Sequence, residues 1–228
     1  KARQALLHMV KQEHYLQAII GDEKFWRACG AYFMCDTPLD SDVGAGPLMN
    51  QDLETASRLL KEGGYNGETL ILMDPTDIPV LHGASLVTAQ MLRKIGAKVE
   101  VQAMDWSTLT SRRAETKSIA DGGWNIFHTY STGADVASPI ANIGVSGGCV
   151  EEAWFGWPCD KTLEDLRDQF SREGDPAKQV EIGIALQKRA YEVVPYVNYG
   201  QWFQPTAYRT SLKGVLISPV PFFWNIEK

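Results

Sequence analysis

The sequence lacks both a long apolar run and a basic surface pattern. No stretch approaches the roughly 20 apolar residues that a membrane-spanning helix needs, so we expect no direct insertion into a membrane. The 22 Lys and Arg residues form no dense stripe and are outnumbered by 28 Asp and Glu residues, which gives a net charge of −6. Because an acidic protein repels phosphate backbones, nucleic acid is not expected as a partner.

Histidine is also scarce, and the motifs of metal and nucleotide chemistry are missing. The His residues are scattered, with no H-E-x-x-H sequence and no pair at i, i+4 spacing. The sequence has neither a G-x-x-x-x-G-K-S/T loop nor a G-x-G-x-x-G stretch after a predicted strand. We therefore predict neither a metal site nor another cofactor. The four His residues are His8, His14, His82 and His128.

One catalytic motif does occur, because residues 144–148 have the pattern G-x-S-x-G of the hydrolase nucleophile elbow. The elbow requires a strand before Ser146 and a helix after it, and Gly147 and Gly148 make a poor helix start. A hydrolase of this type also needs a His later in the chain, whereas every His lies before Ser146. We therefore predict that the protein is not an enzyme, and a secreted α/β hydrolase is kept as the alternative.

The cysteines fall into two pairs that are close in sequence, Cys29 with Cys35 and Cys149 with Cys159. An even number of locally paired cysteines indicates disulfides and an oxidising compartment. Four buried free thiols are the alternative. Cysteine ligands of zinc usually stand about two to four residues apart, and neither pair has this spacing.

The apolar pattern alternates between strand and helix periods along the chain. Short runs at 69–73, 98–103 and 124–129 predict three strands with helices between them. This order predicts an α/β layer with a mixed, mostly parallel sheet. The other predicted elements are helices at 2–20 and 52–61, one that ends at 95, helices at 106–113, 160–172 and 176–194, and late strands at 196–202 and 214–217.

Ligands of open parallel sheets bind at the carboxyl ends of the strands. In this sequence those ends are residues 74–77, 105–106 and 130–135. The chain opens directly in a helical pattern at Lys1, and we expect that a further part of the protein precedes it.

Several stretches, taken in order, resemble the extracellular solute-binding proteins of family 5, the dipeptide-, oligopeptide- and nickel-binding proteins of ABC importers. Residues 3–7 resemble the family's entry into its second lobe, and residues 52–65 resemble its helix that ends in Gly-Gly-Tyr. Residues 92–106 resemble its helix–strand unit, and residues 194–201 resemble its exit. Each stretch is short, but their shared order extends over nearly the whole chain.

The resemblance implies a fold and a function. The fold would be a periplasmic binding protein type II-like lobe of three layers, in which residues 1–197 form the second ligand-binding lobe and residues 198–228 return to the first. The protein would be the substrate-binding component of an ABC importer, located in the periplasm or otherwise secreted or held at the cell envelope. Its partners would be a peptide or other small solute and the transmembrane subunits of the importer. A purely structural or interaction domain is a third possibility.

The resemblance also implies ligand-binding residues. A Trp that opens a helix and an Arg seven residues later correspond to Trp106 and Arg113, and this spacing places both on one helix face. An Asp in a turn before a proline corresponds to Asp135, although Ser138 replaces the second acidic residue of the family's turn. Residues 131–134 lack the Trp-Cys of oligopeptide binders, so the peptide specificity stays open. Asp135 could instead only stabilise its turn, Trp106 could be a core residue, and Arg113 could be solvated.

The remaining predicted ligand-binding residues lie in two loops. The stretch that leads to the Asp turn is predicted to supply apolar and stacking surface, and the aromatic loop between the cysteines of the second pair could stack on a ligand or bury itself. The predicted residues of the two loops are Tyr130, Thr132 and Gly133, and Trp154 and Trp157.

Overall fold

A computed structural model describes residues 1–218 and 222–228 of the chain. Residues 219–221, which belong to the predicted returning segment, lie outside this description. The helices are α1 (Ala2–Met9), α2 (Gln12–Ile19), α3 (Gly46–Met49), α4 (Leu53–Glu62), α5 (Pro79–Lys94), α6 (Trp106–Arg112), α7 (Cys149–Glu152), α8 (Lys161–Arg172) and α9 (Pro176–Val193). The strands are β1 (Trp26–Arg27), β2 (Thr69–Pro75), β3 (Lys98–Met104), β4 (Ile126–Phe127) and β5 (Gln201–Trp202).

Strands β2, β3 and β4 form a parallel sheet in the order β3-β2-β4, which confirms the predicted α/β class. The central strand is buried, and Leu72 and Met73 have no exposed surface. Buried apolar side chains of α1, α4, α5, α8 and α9 form one core, and Leu70 of β2 packs against it. Among the described residues, no helix combines the length and the apolar character that crossing a membrane requires.

Different parts of the chain pack on the two faces of the sheet. Met73 of β2 stands beside Phe127 of β4, and the Phe127 ring packs on Trp154 of the aromatic loop. The next residue of β2, Asp74, points to the other face, because successive side chains of a strand alternate. Asp74 contacts His82 of α5 there. The sheet therefore lies between α5 and the aromatic loop, as the predicted three-layer lobe requires.

Asp side chains cap the starts of four helices. Each accepts a hydrogen bond from a backbone N–H in the first turn, which satisfies a donor that the helix leaves unpaired. The capping pairs are Asp52 with Thr55, Asp105 with Thr108, Asp160 with Leu163, and Asp175 with Ala177.

The predicted helix at 2–20 is wrong in one respect, because the chain forms two helices with a break at Val10 and Lys11. Val10 has φ −72° and ψ 140°, an extended conformation that ends α1. The break directs the side chain of Gln12 into the interior, where its amide donates to the Cys29 carbonyl (2.9 Å) and its oxygen accepts from the Cys29 N–H (2.7 Å). These two bonds replace the helical continuity that the break removes.

Three predicted strands are shorter than expected or absent. The strand at 124–129 reduces to β4. Directly before β4, the side chain of Asn125 accepts the Ile71 N–H (2.8 Å), and the Asn125 N–H donates to the Ile71 carbonyl (3.0 Å). The strand at 196–202 reduces to β5, which pairs antiparallel with β1. The stretch 214–217 is not a strand in the described part of the chain. Gly214 has a φ of 70°, which interrupts an extended chain.

Both predicted disulfides are present in the structure, Cys29 with Cys35 and Cys149 with Cys159. Each one closes a short loop. The first loop is tied to the core by Gln12, and the second contains the aromatic residues that cover the sheet. The alternative of four free thiols is therefore wrong.

Candidate functional site

The ends of β2 and β3 meet at the start of α6, as the parallel arrangement predicts. The Thr76 N–H donates to the Met104 carbonyl (3.0 Å), and the Trp106 N–H donates to Oδ1 of Asp77 (2.8 Å). Hydrogen bonds from the side chain and the backbone N–H of Thr108 lower the pKa of the capping Asp105. The half-buried ring of Trp106 is thus fixed at the carboxyl edge of the sheet.

Arg113 lies at the end of α6, on the same helix face as Trp106, and aromatic rings surround its guanidinium. The guanidinium carbon is 5.6 Å from the Trp106 ring centre, 5.5 Å from that of Trp154 and 4.5 Å from that of Phe155. Such cation–π contacts are favourable, and more so where water is excluded. Burial lowers the pKa of Arg113. We call this group the arginine cluster.

Arg113 has no acidic partner among the described residues. Its Nε is buried and makes no hydrogen bond there, and none of the described ion pairs includes it. The neighbouring Arg112 differs, because it donates to Oε1 of Gln102 (2.6 Å) and to the Gly122 carbonyl (3.0 Å). Arg112 therefore supports the fold, whereas Arg113 keeps donor capacity for an anion.

The aromatic loop contributes its rings to the same face of the sheet. Trp154 contacts Phe127 (5.7 Å between ring centres), and Trp157 contacts Trp124 (5.7 Å), which in turn meets Phe127 edge-on. The rings are half-buried. Trp154 and Trp157 cover the sheet, and Trp154 flanks Arg113 as well, so both uses that the sequence leaves open are compatible with the placement of the loop.

Asp135 lies in a turn of its own, away from the contacts of the arginine cluster. Its Oδ2 accepts the N–H (2.9 Å) and the hydroxyl (2.8 Å) of Thr132, and its own N–H donates to the Thr132 carbonyl (3.0 Å). Asp135 and Thr132 are both exposed. The carboxylate thus stabilises the turn, as one interpretation predicts, and is accessible to a solute, as the other requires. We call residues 130–135 the Asp135 turn.

The structure connects the Asp135 turn to other parts of the chain than the sequence predicts. The exposed ring of Tyr130 meets the ring of Trp202 edge-on, with 5.6 Å between the ring centres. The side chain of Met34 lies against Gly133. The predicted residues therefore form two groups, the arginine cluster with Trp157 at its side and the Asp135 turn.

A buried carboxylate at the sheet edge was missed by the sequence analysis. Asp74 is almost completely buried, and both of its oxygens lie 2.9–3.0 Å from Nδ1 of His82. An Asp at the carboxyl end of a predicted strand with a His eight residues later could have indicated this pair. Phe155 was also missed, although it stands between two predicted aromatic residues.

The G-x-S-x-G stretch has a structural role. Ser146 follows the 3₁₀ turn Ile143–Val145 and not a strand, so the geometry of a nucleophile elbow is absent. The buried hydroxyl of Ser146 donates to Oε1 of Glu164 (3.0 Å), which also accepts the Gly147 N–H. The stretch anchors α8. Within the described ranges, no three His, Cys, Asp or Glu side chains are grouped so that they could hold a metal ion.

Comparison with known proteins gives the family. Residues 1–149 match the family described as "Bacterial extracellular solute-binding proteins, family 5 Middle". The whole chain is 34% identical, over 229 residues, to the "Probable peptide ABC transporter periplasmic-binding protein y4tO" of Sinorhizobium fredii. The chain spans only 43% of that relative's length.

Solved structures show the same fold at low identity. The periplasmic binding protein DppA of Helicobacter pylori, in complex with the peptide STSA, has a TM-score of 0.74 and 19% identity over 98% of this chain and 43% of its own. The protein AgaA of A. tumefaciens R10, in complex with agropinic acid, has a TM-score of 0.71 and 20% identity over 89% of this chain and 40% of its own. The fold is thus that of the periplasmic binding proteins, and the chain belongs to the bacterial extracellular solute-binding proteins of family 5.

Proposed function

We propose that this chain is a ligand-binding lobe of the solute-capture component of an ABC importer. The observation that carries the proposal is the match to a solute-binding family over residues 1–149. The partners would be a peptide or another small solute and the transmembrane subunits of the importer. The two disulfides fit a location in the periplasm, since they persist in oxidising compartments.

We further propose that residues 1–197 form the second lobe and that residues 198–228 return to the first. The chain covers less than half of its relatives, which leaves room for another lobe. The terminal segment exposes several large apolar side chains, and exposed apolar patches mark interaction surfaces. These side chains are Phe203, Tyr208, Ile217, Phe223 and Trp224.

The candidate site offers complementary charges for a zwitterionic or otherwise polar solute. The exposed carboxylate of Asp135 would bind an ammonium or hydroxyl group. Arg113, with no acidic partner among the described residues, would bind a carboxylate of the solute or an acidic side chain on it. Trp106 and Tyr130 would supply apolar surface to the solute. The two lobes would close around it.

The proposed function is tested with the complete protein, both lobes present, in a thermal-shift screen against peptides, opines, sugars and nickel complexes. A bound solute at about 100 times its dissociation constant should raise the free energy of unfolding by about 2.7 kcal/mol. For the solute so found, Asp135→Ala and Asp135→Asn should each weaken binding by about 1.5–3 kcal/mol, because a charge-assisted contact is lost. Calorimetry measures this loss.

Asp121→Ala is the matched control. Asp121 is also exposed, lies in a 3₁₀ turn and accepts a hydroxyl three residues earlier, from Ser118 (2.6 Å). Its loss should leave the affinity unchanged. If both Asp135 variants bind as tightly as the wild type, Asp135 only stabilises its turn. If no solute of any class shifts the unfolding temperature, the solute-binding function is wrong.

We also propose that the protein catalyses no reaction. Ester, peptide and phosphate substrates should not be turned over, because the buried Ser146 hydroxyl is engaged with Glu164 and no His follows it in the chain. Turnover assays with purified protein check this. Turnover that disappears in Ser146→Ala but persists in the control Ser171→Ala would support the hydrolase alternative.

A further inference from the structure

The Asp135 turn rests on a residue that is far from it in sequence. A Cβ atom added to Gly133 would lie 2.3 Å from Sδ of Met34 and 3.3 Å from its Cγ. Both distances are shorter than carbon and sulfur atoms tolerate without movement. The Met34 side chain is therefore in direct contact with Gly133, and a larger residue at position 133 would displace the end of the Met34 side chain.

The backbone at Met34 is itself held in a defined position. It precedes Cys35, whose disulfide to Cys29 closes the loop. The Met34 carbonyl accepts the hydroxyl of Thr37 (2.6 Å), and the Cys35 N–H donates to Oε1 of Gln201 in β5 (3.2 Å). The loop is thus fixed by a covalent bond on one side and by a strand on the other.

Strand β5, which binds the disulfide loop through Gln201, also supports the other end of the Asp135 turn. Trp202, which meets the Tyr130 ring, follows Gln201 in β5. Strand β5 pairs with β1, and β1 ends directly before the disulfide loop. The contact at position 130 therefore comes from β5, and the contact at position 133 comes from the loop between Cys29 and Cys35.

Such support is needed because the bonds within the turn are local. The hydrogen bonds between Thr132 and Asp135 fix the shape of the turn but not its location on the protein. An exposed turn without tertiary contacts moves on the nanosecond timescale. A binding group must be held by packed neighbours to keep its geometry for a ligand.

We infer that Met34 is a positioning residue for the Asp135 turn and that the Cys29–Cys35 disulfide fixes Met34 for this role. The inference rests on the proposed function where it treats the turn as part of the ligand site. The solute affinity then depends on a thioether and a disulfide that make no contact with the carboxylate itself.

NMR order parameters of the Thr132 and Asp135 amides test the positioning without any ligand. In the wild-type chain these amides should be close to rigid, about 0.85, and in Met34→Ala they should fall below about 0.6. Met34→Leu should restore the rigid values, because the two side chains have similar volumes. Met49→Ala removes an exposed methionine of α3 and should change neither amide.

The disulfide is tested in the same way. The double variant Cys29→Ser with Cys35→Ser should lower the same order parameters, whereas Cys149→Ser with Cys159→Ser should not. With a solute from the screen, Met34→Ala should bind at least about tenfold more weakly, a loss of about 1.4 kcal/mol, and Met34→Leu nearly as the wild type.

The outcomes separate this inference from the proposed function. Order parameters that fall in Met34→Ala support the positioning role even if no solute binds in the screen, which would contradict only the proposed function. Order parameters that stay at the wild-type values in Met34→Ala and in the Cys29/Cys35 double variant would overturn the inference, whatever the protein binds.

Discussion

Replacing Gln187 by Met should destabilise the chain by roughly 1–3 kcal/mol, since the buried Tyr32 N–H would lose its hydrogen-bond partner. Gln187 is completely buried in α9. Its oxygen accepts the Tyr32 N–H (3.1 Å), and its amide donates to the carbonyls of Ser41 and Val43. Met has a similar volume but makes none of these hydrogen bonds, so the loss of stability reports the hydrogen bonds and not a cavity.

Urea unfolding at neutral pH measures this loss through the shift of the midpoint. Gln179→Met is the matched control on the same helix. Gln179 is only partly buried and its amide donates to the Glu173 carbonyl (2.8 Å), which water can replace. If the two variants lose the same stability, Gln187 does not hold the loop in the way described. The expected difference also bears on function, because Gln187 anchors both sides of the loop that contains Met34.

The parts of the fold that follow local rules could be predicted from the sequence. Strand β2 is a short apolar run, and β3 alternates polar and apolar residues. Asp52, Asp105 and Asp160 cap the helices that follow them. Parallel order followed from the alternation of strands and helices. At the helix starts the decisive interaction joins residues that are close in sequence, such as Asp52 and Thr55.

The parts that depend on distant partners could not be predicted. The pattern at 2–20 continues through Val10, and only the bonds from Gln12 to Cys29 account for the break. Directly before β4, both the side chain and the backbone N–H of Asn125 bond to the backbone of Ile71, which is distant in sequence. Hydrophobic periodicity carries no information about the helix break at Val10 or about the length of β4.

The candidate site shows the same division. The helical spacing correctly placed Trp106 and Arg113 on one face, where their contact is observed. The disulfide-closed loop that adds Phe155 to Arg113 folds back from another part of the chain. The contact of Met34 with Gly133 has no local signal at all, because glycine in a turn is usually explained by backbone conformation.

A buried histidine should make the protein sensitive to acid. His128 follows β4 and is only 9% exposed, and its Nε2 has no hydrogen-bond partner among the described residues. The Tyr199 ring meets it edge-on (5.6 Å) and stacks in turn on Tyr15. Burial in this aromatic environment lowers the pKa of His128 to about 4.

The sign of the effect follows from the two states. The folded protein keeps His128 neutral down to about pH 4, whereas an unfolded chain protonates it near its ordinary pKa of about 6.5. Between these values the unfolded state binds more protons, so stability falls as the pH decreases. The stabilisation is fully present above about pH 6.5, and about 3 kcal/mol of it should be lost by pH 4, at 1.36 kcal/mol per unit of pKa.

Urea unfolding of the wild type and of His128→Phe at pH 7 and pH 4 measures this contribution. Carboxylates that titrate in the same range act equally in both proteins, so the difference between the two pH-dependent losses isolates His128. The phenylalanine variant should lose about 3 kcal/mol less than the wild type on acidification. His14→Phe changes an exposed histidine of α2 and should lose as much as the wild type. Equal losses in His128→Phe and the wild type would mean that His128 is solvated or paired in the folded protein, and the buried aromatic environment assigned to it would be wrong.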